Sequence, residues 1–261
     1  RLLPLVRQKM TAEKDGIILY GVPLSQPVRA VIWTLLLKGE NFELVMINPG
    51  SKGEMGSRNS SYLKKSPSGT IPCIEERATG FVLSEAHAIL CYLCRKNGWD
   101  DLYPSDIQSR AKIDSYLHFH HRGARDASLG LFAPKVRKDL NIPELMQTIS
   151  ISLVTRAIKV LESAWLSESS FLTGDELTIA DIAAYVEIGQ LHQRFTNLFD
   201  FNPYPNVSRW LDRMALVEHH DDVHASLRAL GDIAKKTPAI DDIKDANKMG
   251  FALINEILSR S

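Results

Sequence analysis

The sequence predicts α/β plus all-α, a small mixed unit followed by a purely helical one, and three observations carry that reading. Over residues 17–97, short apolar runs bounded by turn residues alternate with two stretches of helical periodicity. Beyond residue 107 every periodic stretch has helical spacing. Between the two, Trp99 to Asp106 with its Tyr103-Pro104 reads as a linker. Strands with helices first and helices alone afterwards indicate two units, not one interleaved sheet. The chain is accordingly divided into an N-terminal extension (1–16), an α/β domain (17–97), a linker (98–107), a helical domain (108–235) and a C-terminal helical tail (236–261).

Ile17 to Tyr20 is a short apolar strand running into the loop Gly21-Val22-Pro23. Ser25-Gln26-Pro27 then opens a helix: serine is a favoured N-cap, and a proline in the first turn lacks only an N–H that would be unpaired anyway. Val28, Val31, Ile32, Leu35 and Leu36 fall on one helical face, and Lys38-Gly39 ends it. Phe42 to Ile47 is a second strand, parallel to the first if the helix is a crossover. Residues 48–69 are polar, with at most a short helix near Tyr62. Thr70 to Ile74 is a strand whose proline, Pro72, suits only an edge or a strand end. Phe81-Val82-Leu83 follows the turn Thr79-Gly80, so a hairpin is expected. Ser84-Glu85 opens the next helix, with Ala86, Ile89, Leu90, Leu93 and Cys94 on one face.

In the helical half the stripes are Ile113, Tyr116, Leu117 and His120; Val154, Ala157, Ile158, Leu161 and Trp165; Ile179, Ile182, Ala183 and Val186; and Trp210, Leu211 and Met214. A last amphipathic helix is drawn through Ile243, Met249, Leu253 and Ile257. Thr178-x-x-Asp181 is a capping box and is assigned to folding.

Composition narrows the function. Lys+Arg and Asp+Glu are equal at 31 each, so no global field recruits nucleic acid or a membrane surface. No apolar run approaches the ~20 residues needed to span a bilayer. An odd count of 3 cysteines (Cys73, Cys91, Cys94) argues for a reducing compartment, hence a cytoplasmic protein. Residues 1–9 carry Arg1, Arg7 and Lys9 without an acid, as either the stub of a transit peptide for organellar import or upstream sequence would. Cys91-x-x-Cys94 lies on a helix with no second ligand pair and reads as packing; His120-His121 and His219-His220 read as surface or packing residues. No metal is expected.

Several strings together carry a family resemblance. Leu19-Tyr20-Gly21-Val22-Pro23-Leu24-Ser25-Gln26-Pro27-Val28-Arg29-Ala30 resembles the N-terminal signature of theta-class glutathione transferases. So do Ser84-Glu85-Ala86-His87-Ala88-Ile89-Leu90-Cys91-Tyr92-Leu93, the linker Tyr103-Pro104-Ser105-Asp106, and Phe171-Leu172-Thr173-Gly174 with Leu177-Thr178-Ile179-Ala180-Asp181. The similarity covers roughly residues 17–230, in order and spacing. It implies a thioredoxin-like glutathione-binding domain and the family's helical domain. It also implies glutathione as co-substrate with no other cofactor, a small hydrophobic electrophile as partner, and a homodimer.

The residues alone leave Ser25 as a helix cap. The resemblance assigns its hydroxyl to the glutathione sulfur, where a hydrogen bond at a helix N-terminus favours the thiolate. Ile71-Pro72 becomes the cis-proline dipeptide whose preceding backbone bonds the cysteinyl amide. Glu85 and the helix N–H groups after it receive the γ-glutamyl end; Gln26 and Ala86 are counted among the glutathione contacts. Arg125 is aligned with an arginine pointing towards the sulfur, its other reading being an ion pair with Asp126 or Asp114. Arg29 braces the serine loop, Tyr20 belongs to the strand, and the 240–258 tail is placed as a lid. Two positions depart from the family: Ala86 stands where a serine is usual and Thr70 where a lysine or arginine is usual. A non-catalytic binding or scaffold protein of the same fold would show such relaxed contacts, and it is the alternative; the retained Ser25 and Glu85 favour the enzyme.

Overall fold

The computed structural model describes residues 16–260, so the basic segment 1–9 lies outside the described residues. A four-stranded sheet of order β2-β1-β3-β4 is built from β1 (Ile17–Gly21), β2 (Phe42–Met46), β3 (Cys73–Glu76) and β4 (Val82–Ser84). β1 and β2 are parallel, with α1 (Gln26–Leu37) as the crossover between them; β3 runs antiparallel to both β1 and β4. Pro72 immediately precedes β3, which is an interior strand, so of the two positions open to a proline it takes the strand end. The stretch between β2 and β3 holds a single helical turn, Ser60–Leu63, around Tyr62.

The five apolar positions expected on α1 are buried, and so are Ala30, Trp33 and Thr34, so the helix is enclosed on every side. Leu36 and the Gly39 N–H close its end, Gly39 taking the left-handed φ of 59° that a glycine adopts at no steric cost. Trp33 sits edge-on to Tyr185 at 5.6 Å and donates its indole N–H to the Glu218 carbonyl at 2.7 Å, tying α1 to the helical half.

α2 (Ala86–Asn97) closes the α/β unit, and the helical half comprises α3 (Ile107–His121), α4 (Glu144–Val160), α5 (Ile179–Ile188), α6 (Pro205–Met214), α7 (Ala225–Leu230) and α8 (Ile240–Arg260), with short helical turns between them. One continuous apolar core runs from Leu19 and Ile74 of the sheet through Tyr116, Ile182 and Trp210. All ten residues of α5 are buried. Its start is the expected capping box: Asp181 accepts from the N–H and hydroxyl of Thr178, from the Leu172 N–H at 2.8 Å and from the Trp210 indole at 3.0 Å.

The tail keeps two positions of its expected stripe, Ile243 and Ile257, packed against the core. α8 is a helix, but its buried face is Ala246, Gly250 and Ile254, while Met249 is exposed. The large apolar side chains mark the flanks of the buried face, and small residues make its closest contact. A Cβ on Gly250 would lie 1.9 Å from the Ser226 hydroxyl of α7 and 3.1 Å from the Pro23 ring. Among the described residues, no helix is long and apolar enough to cross a membrane.

Candidate functional site

Strand register gathers the candidate groups. Tyr20, next to the last residue of β1, pairs with Cys73 at the start of β3, and Cys73 pairs with Ser84 at the end of β4. Hence the loop after β1 (Ser25), the dipeptide before β3 (Ile71-Pro72) and the residue after β4 (Glu85) emerge at one end of the sheet.

Ser25 takes the N-cap position of α1 with extended φ and ψ of −72° and 126°, yet its side chain makes no capping hydrogen bond. The hydroxyl is therefore uncommitted at the positive end of the helix. The loop before it is held firmly. The buried Arg29 guanidinium donates to the Leu24 carbonyl at 2.5 Å and to the Val186 carbonyl of α5 at 3.0 Å, the bracing role expected of it. Burial lowers that guanidinium to about 10, so it keeps its charge at neutral pH. Leu24 N–H donates to the Asn247 side chain of α8 at 3.0 Å.

The Ile71-Pro72 peptide bond is cis. Just before it, the Thr70 carbonyl accepts from the Tyr62 hydroxyl at 2.8 Å and from Ser66 at 3.0 Å. Glu85 adopts φ of 72°, which non-glycine residues rarely take and which concentrates at ligand sites. Ala86 follows as the first residue of α2, and the unpaired N–H groups of that helix start suit a carboxylate.

A cavity of ≈ 210 Å³ lies above these groups. Thr70, Ile71, Pro72, Glu85 and Ala86 line its sheet side; His120, His121, Arg125 and Glu187 face them from the helical half. Pro27 and Ala30 of α1 also line it, whereas Ser25 and Gln26 are not among the lining residues. Nor does any residue of α8 line it. The expected lid contacts the serine loop instead, because the small face of α8 seats the helix beside Pro23 and Leu24.

Gln26 commits its amide elsewhere. Its Nε2 donates to Gln190 Oε1 at 2.8 Å in the interior, and Gln190 in turn approaches the Glu187 carboxylate. Arg125 donates to that same carboxylate and to Ser128, whose hydroxyl donates to Glu187 Oε2 at 2.9 Å. The ion pair considered with Asp126 or Asp114 is thus made with Glu187; Asp114 is engaged by the Tyr103 hydroxyl at 2.6 Å. A polar chain from Gln26 through Gln190 and Glu187 to Arg125 joins the helix of the serine loop to the helical wall of the cavity.

Three histidines meet at the cavity edge: the His87 ring lies 4.7 Å from that of His120 and 4.6 Å from that of His121. Burial, then neighbouring positive groups, push His87 down to about 3 and His120 well below its ordinary range, so both rings are neutral. His87 and Glu187 escaped the sequence reading. A second acid in α5, beyond the capping Asp181 and among apolar residues, is the signal for Glu187; for His87, between Ala86 and Ala88, there is none. Among the described residues, no group of three His, Cys, Asp or Glu is placed to hold a metal ion. Cys91 and Cys94 are free thiols; burial raises Cys91 and pushes Cys94 up to about 12, as packing residues behave. Tyr20 donates to Glu75 at 2.6 Å across the sheet.

Family models for the glutathione S-transferase N-terminal and C-terminal domains match residues 19–99 and 147–213. The chain is 30% identical over 233 residues to human glutathione S-transferase theta-1, covering 86% of this chain and 94% of that one. It is also 30% identical over 221 residues to Arabidopsis thaliana glutathione S-transferase T2, where it covers 80% of itself but spans only 36% of the relative's length. A crystal structure of human glutathione transferase theta-2, in complex with glutathione and an unknown ligand, superposes with a TM-score of 0.69 at 25% identity, covering 92% of this chain and 100% of that chain.

Proposed function

The chain belongs to the glutathione S-transferase family, and on that premise we propose that it is a theta-like transferase in which the Ser25 hydroxyl stabilises the thiolate of bound glutathione. A free thiol titrates at about 8.5, so little thiolate exists at neutral pH unaided. A hydroxyl donating to sulfur at a helix N-terminus lowers that value, and each unit corresponds to about 1.4 kcal/mol, within reach of one charge-assisted hydrogen bond. The observation that carries this reading is the uncapped Ser25 side chain in a loop braced by Arg29, at the same sheet end as cis Ile71-Pro72 and Glu85.

In this reading the Ile71 backbone pairs with the cysteinyl amide. Glu85 pairs with the γ-glutamyl ammonium, and the first N–H groups of α2 take its carboxylate. The sulfur lone pair attacks an electrophilic carbon; the S–C bond forms as the bond to the leaving group breaks, and the leaving group departs with that electron pair. With a hydroperoxide the sulfur attacks oxygen and the O–O bond breaks to release an alcohol after protonation; the thiol of a second glutathione then attacks the sulfenic sulfur, forming the disulfide as the S–O bond breaks and water leaves. Arg125 at the cavity wall steadies the anion that develops. The protein supplies positioning and thiolate stabilisation, without a covalent intermediate of its own. Glutathione, the co-substrate, takes the sheet side of the cavity, a small hydrophobic electrophile lies towards the helical wall around Arg125, and the working form is a cytoplasmic homodimer.

The test is a difference spectrum near 240 nm with glutathione bound, alongside chlorodinitrobenzene and cumene hydroperoxide assays, on wild type and Ser25→Ala. Thiolate absorbance at neutral pH that disappears in the variant, with activity down about 10²–10³-fold, is expected. A bound thiol equally protonated in both proteins overturns the mechanism.

A further inference from the structure

We propose that Asn247, on the C-terminal helix α8, is a positioning residue for Ser25, so that α8 acts on the thiolate from outside the cavity. The inference rests on the serine reading above and extends it to a helix that lines none of the cavity.

The peptide groups flanking Leu24 set where Ser25 points. Ser25 N–H turns back to the Val22 carbonyl at 3.0 Å. The Leu24 carbonyl, which belongs to the peptide plane leading into Ser25, is held by Arg29. The Leu24 N–H, in the preceding plane, has Asn247 Oδ1 as its acceptor at 3.0 Å, across 223 residues of sequence. Leu24 is buried, so losing that acceptor leaves an N–H with no water to replace it.

The amide's orientation is fixed by its own bonds. Asn247 Nδ2 donates to the Ile243 carbonyl at 3.1 Å, one turn back on α8, so only the oxygen can meet the loop N–H. Gly250, three residues on, explains how a helix backbone comes so near: a side chain there would strike Ser226 on one side and Pro23 on the other. α8 therefore grips the loop at two adjacent points, Pro23 by close packing and Leu24 by a hydrogen bond. Both contacts fall on the Pro23-Leu24 loop, so loosening this grip displaces the serine hydroxyl while leaving Ile71, Glu85 and the start of α2 in place.

The consequence is a separation of kinetic constants. Asn247→Leu, which keeps the side-chain bulk and removes the acceptor, is expected to raise the pKa of bound glutathione by about one unit. kcat at neutral pH then falls about tenfold, with KM for glutathione within about twofold. Asn247→Asp keeps an acceptor oxygen but loses the donor to Ile243 and adds a negative charge, so it is expected to shift the titration in the same direction as Asn247→Leu. Gly250→Ala, which pushes the helix off Pro23 with Asn247 intact, moves the titration in the same direction as Asn247→Leu. Ser25→Ala is measured in parallel. If it abolishes the thiolate signal while Asn247→Leu titrates like wild type, the positioning role is wrong and the serine mechanism stands. If Ser25→Ala leaves the thiolate untouched, the serine mechanism itself fails and this inference with it. Hydrogen exchange on the wild-type protein gives a reading independent of any variant's folding: the Leu24 amide is expected to be protected, and exchange at the rate of an open loop overturns the clamp.

Discussion

The guanidinium of Arg125 is bound to the carboxylate of Glu187, a side chain only 2% exposed in the last turn of α5. The carboxylate is shared with Ser128 and approached by Gln190, so it is a fixed anion at the cavity wall with Arg125 as its countercharge. Removing the arginine strands a buried charge. Arg125→Ala is expected to destabilise by about 1–3 kcal/mol, less than the about 3–5 of a fully enclosed pair because Arg125 is itself 42% exposed. Arg125→Ala/Glu187→Gln should recover most of that stability without recovering activity. Urea unfolding together with kcat/KM on both proteins separates the two roles; activity returning in the double variant would make Arg125 purely structural.

Ser25 makes no capping bond, and this decides what its removal costs the fold. A capping serine contributes ~1 kcal/mol to its helix. Ser25→Ala is expected to change unfolding free energy by no more than about 0.5 kcal/mol, the range of substitutions that break no contact. A loss near 1 kcal/mol or above in thermal or urea melts would return the hydroxyl to the helix and weaken its assignment to the sulfur.

What the sequence revealed and what it hid follow from range. The α1 stripe, the hairpin into β4 and the Thr178/Asp181 box depend on residues within a few positions of one another, and all three were legible. The identity of the fold was legible too, through short strings in order. The partner of Arg125 was not: Glu187 lies 62 positions away, and only packing of α5 against the turn after α3 brings the two together. On α8 the stripe is legible at Ile243 and Ile257 but not at its centre, where Gly250 is buried for lacking a side chain. The cluster of His87 with His120 and His121 likewise needs α2 and α3 side by side.

Among the described residues five histidines titrate against the fold, His192 and His220 less strongly than the other three. His87 is pushed down to about 3, and His120 and His224 lie well below the ordinary value, in each case mainly through burial. All three are neutral in the native protein and bind a proton in the unfolded chain below about pH 6.5. The unfolded state therefore holds more protons between that pH and about 3, and stability falls as the solution is acidified, by up to about 1.4 kcal/mol per pH unit for each ring. Urea denaturation at pH 7.5, 6.5 and 5.5 is expected to show a loss that steepens below 6.5, and His120→Phe should reduce the slope. Stability unchanged from pH 7.5 to 5.5 would mean these rings are not neutral and enclosed as described.

Ala86 offers a gain of function. It is the first residue of α2, lines the cavity, and stands where the resembling family usually has a serine hydroxyl. Ala86→Ser is expected to add one hydrogen bond to the γ-glutamyl carboxylate, about 1 kcal/mol, and so to lower KM for glutathione roughly fivefold with kcat unchanged. Thr70→Lys, beside the cis-proline, should contribute separately because it would meet the glycyl end of the tripeptide; two contacts at opposite ends of a ligand, sharing no partner, add in free energy to within about 0.5 kcal/mol. Steady-state kinetics and calorimetric titration of glutathione on the single and double variants check both claims. If Ala86→Ser weakens binding while Thr70→Lys strengthens it, the γ-glutamyl end does not sit at the start of α2, and the ligand is held in another orientation along the same wall.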